Sequence, residues 1–197
     1  MKMIRHTARA VVTTLAITGA MIAGSRTASA APINLETFYE FDIVGTGPVI
    51  GCFPADPNGD FCIPSAGTPT QFAPEPAWTF NAIEPTLLTV TDAFQSGDRF
   101  EIFDFGVFLG FTSIPGARPV NCGSDPATCL ATPGISQGVF ALGAGAHSLT
   151  IASLQDSFGT GYFEVNAVPE PASLLLVGSG LIGVVTRWRR RGAGRVA

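Results

Sequence analysis

The middle of this chain, residues 31–167, consists of short apolar runs separated by turn-forming residues, and this pattern limits the folds open to it. In the first run, Thr37–Val44, an aromatic or aliphatic side chain recurs at every second position, which is the period of a strand with one buried face. No sustained 3.6-residue apolar period, which a helix needs to bury one face, occurs between the two ends of the chain. The sequence therefore predicts an all-β body.

Seven further runs are predicted to be strands. They are Trp78–Ile83, Leu87–Phe94, Arg99–Phe105, Val107–Thr112, Gly138–Leu142, His147–Leu154 and Tyr162–Val168. About eight short strands with spaced turns are typical of a β-sandwich or a jelly roll, so we expect one such domain over residues 31–167. Within it, Phe100, Ile102 and Asp104 are expected to face one way, with a bend at Gly106.

Charge is distributed very unevenly along the chain. Between Ala31 and Pro171, all 15 Asp and Glu residues stand against only two basic residues, Arg99 and Arg118, so this part carries a net charge of −13. Such an acidic body repels phosphate groups, because phosphate recognition needs clustered Lys or Arg. Nucleic acid is therefore not an expected partner.

Residues 1–30 have the three parts of a secretory signal peptide. A basic start with three Lys and Arg residues is followed by the apolar stretch Ala10–Gly24, which is too short to span a membrane comfortably. Residues 28–30, Ala-Ser-Ala, then match a small-x-small cleavage site, so signal peptidase is expected to cut before Ala31. An uncleaved N-terminal anchor is the alternative.

A second apolar segment, Ala172–Trp188, lies near the other end of the chain. Its 17 residues reach the lower limit for a helix that spans ~30 Å of hydrocarbon. The arginines at and behind its end are Arg187, Arg189, Arg190 and Arg191. Such a cluster stays on the cytoplasmic side, so residues 192–197 are expected to form a short cytoplasmic tail and the body to face outward. An apolar core element with a basic tail is the alternative.

A short motif precedes that membrane segment. Its four residues are Val168, Pro169, Glu170 and Pro171. This motif, the apolar stretch and the terminal arginine cluster, in this order behind a signal peptide, closely resemble the PEP-CTERM sorting signal over residues 168–191. The two prolines prevent regular helix and sheet locally, which leaves an extended backbone that a protease-like cleft can grip.

The resemblance implies a protein of a Gram-negative bacterium that makes extracellular polysaccharide. It also implies processing near the Pro-Glu-Pro motif by exosortase, a membrane-embedded cysteine transpeptidase. In this interpretation the tag holds the chain transiently in the inner membrane, and the body then reaches the cell surface or the exterior. Residues 96–110 and 145–151 are also similar to a layout common in all-β ectodomains of PEP-CTERM proteins, which implies fold and not activity.

The body contains four cysteines, which allow three disulfide pairings. Pairing of neighbours, Cys52 with Cys62 and Cys122 with Cys129, closes two short loops and is expected for an exported protein in an oxidising compartment. A zinc site is the alternative, but the short Cys-x-x-Cys or Cys/His spacings typical of such sites are missing.

The body has few groups that are typical of catalysis. His147 is its only histidine, and it lies within a predicted strand. A Ser-His-Asp triad with Ser148 or Ser153 is the alternative, against which the missing Gly-x-Ser-x-Gly elbow counts. A carboxylate pair like that of glycosidases stays open, because sequence spacing in a β-fold does not reveal distance. We therefore expect no enzymatic activity.

Calcium is the one ligand ion that the sequence suggests, and no other cofactor is expected. Asp56, Asn58 and Asp60 place oxygen ligands at alternate positions, as at the start of an EF-hand loop. Phe61 and Gly67 stand where that motif needs glycine and glutamate, so the full motif is absent. A second candidate set consists of Asp98, Glu101 and Asp104. A solvated turn is the alternative.

Together these features favour an exported, non-enzymatic surface or matrix protein that associates with polysaccharide. The alternative is a glycan-binding module, with or without calcium, in which Tyr39, Trp78 or Tyr162 stacks on sugar rings. A secreted hydrolase that uses carboxylates is a third hypothesis.

Overall fold

The computed structural model describes residues 30–52, 62–155 and 157–168, which form twelve strands and one short helix. The strands are β1 Ala31–Pro32, β2 Phe38–Val44, β3 Gly47–Pro48, β4 Ile50–Gly51, β5 Thr70–Phe72, β6 Trp78–Ala82, β7 Thr86–Asp92, β8 Phe100–Asp104, β9 Val107–Phe111, β10 Gln137–Leu142, β11 Gly145–Ser153 and β12 Phe158–Ala167. The helix α1, Pro126–Ala131, lies between β9 and β10. The predicted signal peptide and membrane segment lie outside the described residues.

The strands form two six-stranded sheets. The first has the order β1-β6-β11-β8-β9, with β3 also paired to β11. The second has the order β10-β7-β12-β2-β4, with β5 also paired to β2. Only the β1–β6 and β2–β5 pairs are parallel. The predicted all-β class is confirmed, and all eight predicted strands are present with ends shifted by at most four residues.

Aromatic side chains from the inner faces of the two sheets form the centre of the core. The rings of Trp78 and Phe163 have centroids 4.4 Å apart, and Phe100 meets Phe41 edge-on at 5.4 Å. All four side chains are fully buried. Gly161 lies beneath the ring of Phe41, and a Cβ at this position would overlap that ring. The glycine therefore sets how closely β12 and the core pack.

The helix α1 was not among the predicted elements, although its start has a sequence signature. Asp125 caps it by accepting the backbone N–H of Thr128 at 3.2 Å, and Pro126 occupies the first turn. Cys129 of the helix is fully buried and is bonded to Cys122. The disulfide therefore fixes the helix to the segment that precedes it.

The four cysteines pair as neighbours, as the sequence predicts. Cys52 is bonded to Cys62 with Cα atoms 5.6 Å apart, and Cys122 is bonded to Cys129 with Cα atoms 4.9 Å apart. None of the four cysteines is left free.

No helix within residues 30–52, 62–155 and 157–168 is both long enough and apolar enough to span a membrane. The segment expected to do so, Ala172–Trp188, is not among them.

Candidate functional site

His147 on β11 has both ring nitrogens engaged. Its Nδ1 is 2.8 Å from Oδ2 of Asp104, and its Nε2 is 2.9 Å from the carbonyl oxygen of Gly143. The other carboxylate oxygen of Asp104 accepts the backbone N–H of Ser148 at 2.9 Å. The partners of the two ring nitrogens are therefore a carboxylate and a backbone carbonyl, and neither is a serine hydroxyl. The alternative triad with Ser148 or Ser153 is therefore not formed.

The second candidate calcium set is dispersed. Asp104 is paired with His147, Asp98 accepts the hydroxyl of Ser157, and Glu101 lies opposite Phe111 in the β8–β9 register. Among the residues that the structure describes, no three His, Cys, Asp or Glu side chains are grouped so that they could hold a metal ion. The structure therefore does not bring these three candidate ligands together. The first candidate set, Asp56, Asn58 and Asp60, lies outside the described residues.

Two buried aspartates organise the turn between β7 and β8. Oδ1 of Asp92 accepts the N–H of Ala93 at 2.9 Å, and its Oδ2 accepts those of Gly97 and Asp98 at 3.1 Å each. Burial raises the pKa of Asp92 to about 7, with a further contribution from the charge of Asp98. Burial also raises the pKa of Asp98, while its hydrogen bond from Ser157 opposes that shift. These carboxylates hold a loop together.

A cavity of about 250 Å³ lies beside Asp98. Its walls include Ile63, Phe94, Gln95, Asp98, Phe158 and Thr160. It is smaller than the ~300–1,000 Å³ of typical sites for drug-sized ligands, so its occupant must be small. A carboxylate and an amide in apolar walls can hydrogen-bond hydroxyl groups while the rings contact an apolar face.

Glu40 on β2 is a candidate functional residue that could not be identified from the sequence. It is fully buried, its Oε1 accepts the N–H of Ile63 at 2.9 Å, and its Oε2 has no hydrogen-bond partner among the residues that the structure describes. Burial raises its pKa to about 7, and the nearby charge of Asp42 acts in the same direction. Ile63 follows Cys62 directly, so Glu40 anchors the end of the first disulfide loop.

The three aromatic residues proposed to stack on sugars are buried, so that assignment was wrong. Trp78 and Tyr162 have no exposed surface, and Tyr39 is 4 % exposed. Their polar atoms also have partners within the protein: the Trp78 indole donates to the carbonyl of Pro74, and the Tyr162 hydroxyl to that of Ser124. All three residues belong to the sandwich and cannot meet a ligand.

A group of partly exposed aromatic side chains lies instead on the outer face of β8 and β9. Phe103 and Phe108 have ring centroids 5.7 Å apart, and Phe108 meets Phe111 at 4.8 Å. The guanidinium of Arg99 lies 4.6 Å from the Phe111 ring centroid, and Glu101 is the register partner of Phe111. We call these five residues the β8–β9 patch. The frequent phenylalanines of this hairpin were the available sequence signal.

The sandwich ends where the predicted sorting signal begins. Strand β12 ends at Ala167, and the N–H of Val168 donates to the carbonyl of Pro85 at 3.0 Å. The other residues of the predicted signal, Pro169, Glu170, Pro171 and the arginines Arg187, Arg189, Arg190 and Arg191, lie outside the described residues. Their roles therefore remain predictions from the sequence.

Comparison with known proteins identifies the C-terminal part of the chain alone. No curated protein and no solved structure matches the chain. The family model of the PEP-CTERM protein-sorting motif matches residues 167–191, beginning at the last residue of β12. The chain therefore carries a PEP-CTERM protein-sorting motif, which begins at the last residue of the β-sandwich.

Proposed function

We propose that this protein is a non-enzymatic component of the cell surface or extracellular matrix that associates with exopolysaccharide. Its PEP-CTERM motif marks an exported protein that exosortase processes. The further steps, namely release of the body, its place outside the cell and its contact with polysaccharide, are the substance of the proposal.

The observation that carries the proposal is the junction between sandwich and signal. The last strand ends at Ala167, and the last described backbone hydrogen bond is made by Val168. Cleavage near the Pro-Glu-Pro motif therefore removes none of the twelve described strands, so the body keeps its core after the tag is lost. The two disulfides suit a protein that works in an oxidising exterior.

The polar groups of the body support a non-enzymatic role. Both nitrogens of His147 are engaged, and the carboxylate of Asp92 accepts three backbone N–H groups. Groups held in this way stabilise the fold, whereas a general acid or base needs to reach a substrate proton.

The test is fractionation of cells that produce the protein. We expect the mature protein to separate with the polysaccharide fraction and to be released when that polysaccharide is digested enzymatically. A protein that stays with the inner membrane, or that moves freely in the medium before digestion, would contradict the proposal. A chain with both Pro169 and Pro171 changed to Ala is the matched control, and we expect it to remain with the membrane.

A glycan-binding module is the second candidate, and the cavity beside Asp98 favours it. Phe158 lines this cavity and is 67 % exposed, while Gln95 and Asp98 supply hydrogen-bonding groups. Calorimetry with oligosaccharides prepared from the producing cell's polysaccharide tests this candidate. We expect Phe158→Ala to weaken binding and Ile83→Ala, an exposed apolar position outside the cavity wall, to leave it unchanged; equal effects would refute the site.

Calcium binding by the first disulfide loop is part of the same hypothesis of a glycan-binding module. Asp56, Asn58 and Asp60 are the proposed oxygen ligands. We expect calcium to raise the melting temperature of the mature protein and a chelator to lower it. Calcium binding would be refuted if neither calcium nor the chelator changed the melting temperature. It would also be refuted if a variant with all three residues changed to Ala showed the same shift as the wild type.

A further inference from the structure

The β8–β9 patch is an unusually apolar surface on an acidic protein. Phe108 and Phe111 are 47 % and 44 % exposed, and Phe105, in the turn that joins β8 to β9, is 65 % exposed. With about 200 Å² for one phenylalanine side chain, these three expose roughly 300 Å² together. Contiguous apolar patches of about 300–600 Å² are the largest that typical monomers have, and they are often functional.

The two charged residues of the patch, Arg99 and Glu101, do not form an ion pair with each other. Among the residues that the structure describes, the single contact within 4.0 Å between a basic nitrogen and a carboxylate oxygen joins His147 and Asp104. Arg99 covers the ring of Phe111, and Glu101 is the register partner of the same residue, so both charges flank the centre of the patch. The patch therefore offers one cation, one anion and several rings within a small area.

This combination is complementary to itself. A twofold axis through the patch places phenylalanine rings against phenylalanine rings and brings Arg99 of each copy towards Glu101 of the other, giving two reciprocal ion pairs. The body has only two basic residues, Arg99 and Arg118, so a surface that presents an arginine beside a carboxylate is rare on it. We propose that two copies of this chain associate through the β8–β9 patch about a twofold axis.

The size of the patch sets the strength of this association. Roughly 300 Å² of aromatic surface per copy is well below the ~800 Å² per partner that stable complexes bury. The net charge of −13 between Ala31 and Pro171 adds repulsion between the copies. The dimer is therefore weak, with a dissociation constant on the order of 0.1–1 mM, and it forms where the protein is concentrated.

Sedimentation equilibrium of the mature protein, from about 0.01 to 1 mM in 0.15 M salt, tests the proposal. We expect a monomer–dimer equilibrium that Glu101→Arg weakens at least about tenfold, since it places like charges opposite each other. The double variant R99E/E101R restores the reciprocal pairs and is expected to recover the wild-type constant within about threefold. Circular dichroism and the melting temperature establish that each variant is folded.

A second pair of variants tests the apolar part of the interface. We expect Phe108→Ser to weaken association and Ile83→Ser, at a 96 % exposed apolar position outside the patch, to leave it unchanged. Sedimentation as a monomer over the whole range would overturn the proposal, as would a folded double charge variant that fails to recover. Binding of polysaccharide or of another protein at this patch, without dimers, would overturn it equally.

Discussion

Replacing Glu40 by Gln is expected to stabilise the protein at alkaline pH and to have little effect at acidic pH. The carboxylate is fully buried, one oxygen accepts the N–H of Ile63, and the other has no hydrogen-bond partner within the described part of the chain. Glutamine keeps the acceptor for Ile63 and removes the charge. The variant therefore isolates the effect of ionising a buried side chain that lacks a full set of hydrogen bonds.

The sign and size follow from the pKa of Glu40, which burial raises from its usual 4.5 to about 7. Because the folded state holds this proton more tightly than the unfolded state, wild-type stability falls as the pH rises from about 4.5 to 7 and is then constant. The full penalty, for a difference of about 2.5 pH units at 1.36 kcal/mol each, is on the order of 3 kcal/mol. We expect the Glu40→Gln variant to recover about this amount at pH 8.5 and less than about 1 kcal/mol at pH 4.5.

Urea unfolding followed by the fluorescence of Trp78 measures this difference, because Trp78 is buried in the core and is the only tryptophan of the body. Glu164→Gln is the matched control: it removes a carboxylate from the same sheet, at a partly exposed side chain on β12. We expect that control to change stability by less than about 0.5 kcal/mol at either pH. The reasoning would be refuted if the Glu40→Gln protein were no more stable than wild type at pH 8.5. It would also be refuted if the substitution raised the free energy of unfolding equally at both pH values.

Two further perturbations test the core and the second disulfide by the same urea assay. Gly161→Ala places a methyl group against the ring of Phe41 and is expected to lower the free energy of unfolding by about 2 kcal/mol or more. The control Gly97→Ala has no atom within 4 Å of its new Cβ and should change the free energy of unfolding by less than about 1 kcal/mol. Equal losses in the two variants would contradict the packing described. Changing both Cys122 and Cys129 to Ala opens a loop of sequence separation 7 and should cost about 2.5 kcal/mol. A stability loss below about 0.5 kcal/mol would show that this bridge does not constrain the unfolded chain.

Most strands could be predicted because their signal is local. In β2, apolar side chains at alternate positions face the core, which is visible in eight consecutive residues. The strands that were not predicted, such as β3 and β4, have two residues each and no period to detect. They exist because neighbouring strands offer them backbone partners, and that depends on the assembled fold.

The burial of Glu40 could not be predicted for a related reason. It occupies a polar position of the β2 alternation, which suggests a solvent-facing side chain. In the structure β5 pairs with this stretch of β2, and Ile63, 23 residues away, donates its N–H to the carboxylate. Contacts at this distance along the chain leave no trace in a local pattern.

The location of the exposed aromatic residues depends on one irregularity in β9. A strict two-residue period would place Phe108 and Phe111 on opposite faces, because they are three residues apart. A register shift at Ile102 and Phe103 inserts one extra residue in β9, so Phe108 lies beside Phe103 and Phe111 beside Glu101 on the same face. The sequence showed many aromatic residues but not this bulge, and it therefore assigned the sugar-stacking role to buried side chains.

Intact-mass measurement of the mature protein, purified from the exterior of the producing cells, tests the central claim most directly. If exosortase removes the tag at the end of the sandwich, the mass corresponds to a chain that begins at Ala31 and ends near Pro169–Pro171, with both disulfides intact. A variant with both prolines changed to Ala should retain the complete tag and therefore have the correspondingly larger mass. A mature protein that still contains Arg189–Arg191 would contradict the account.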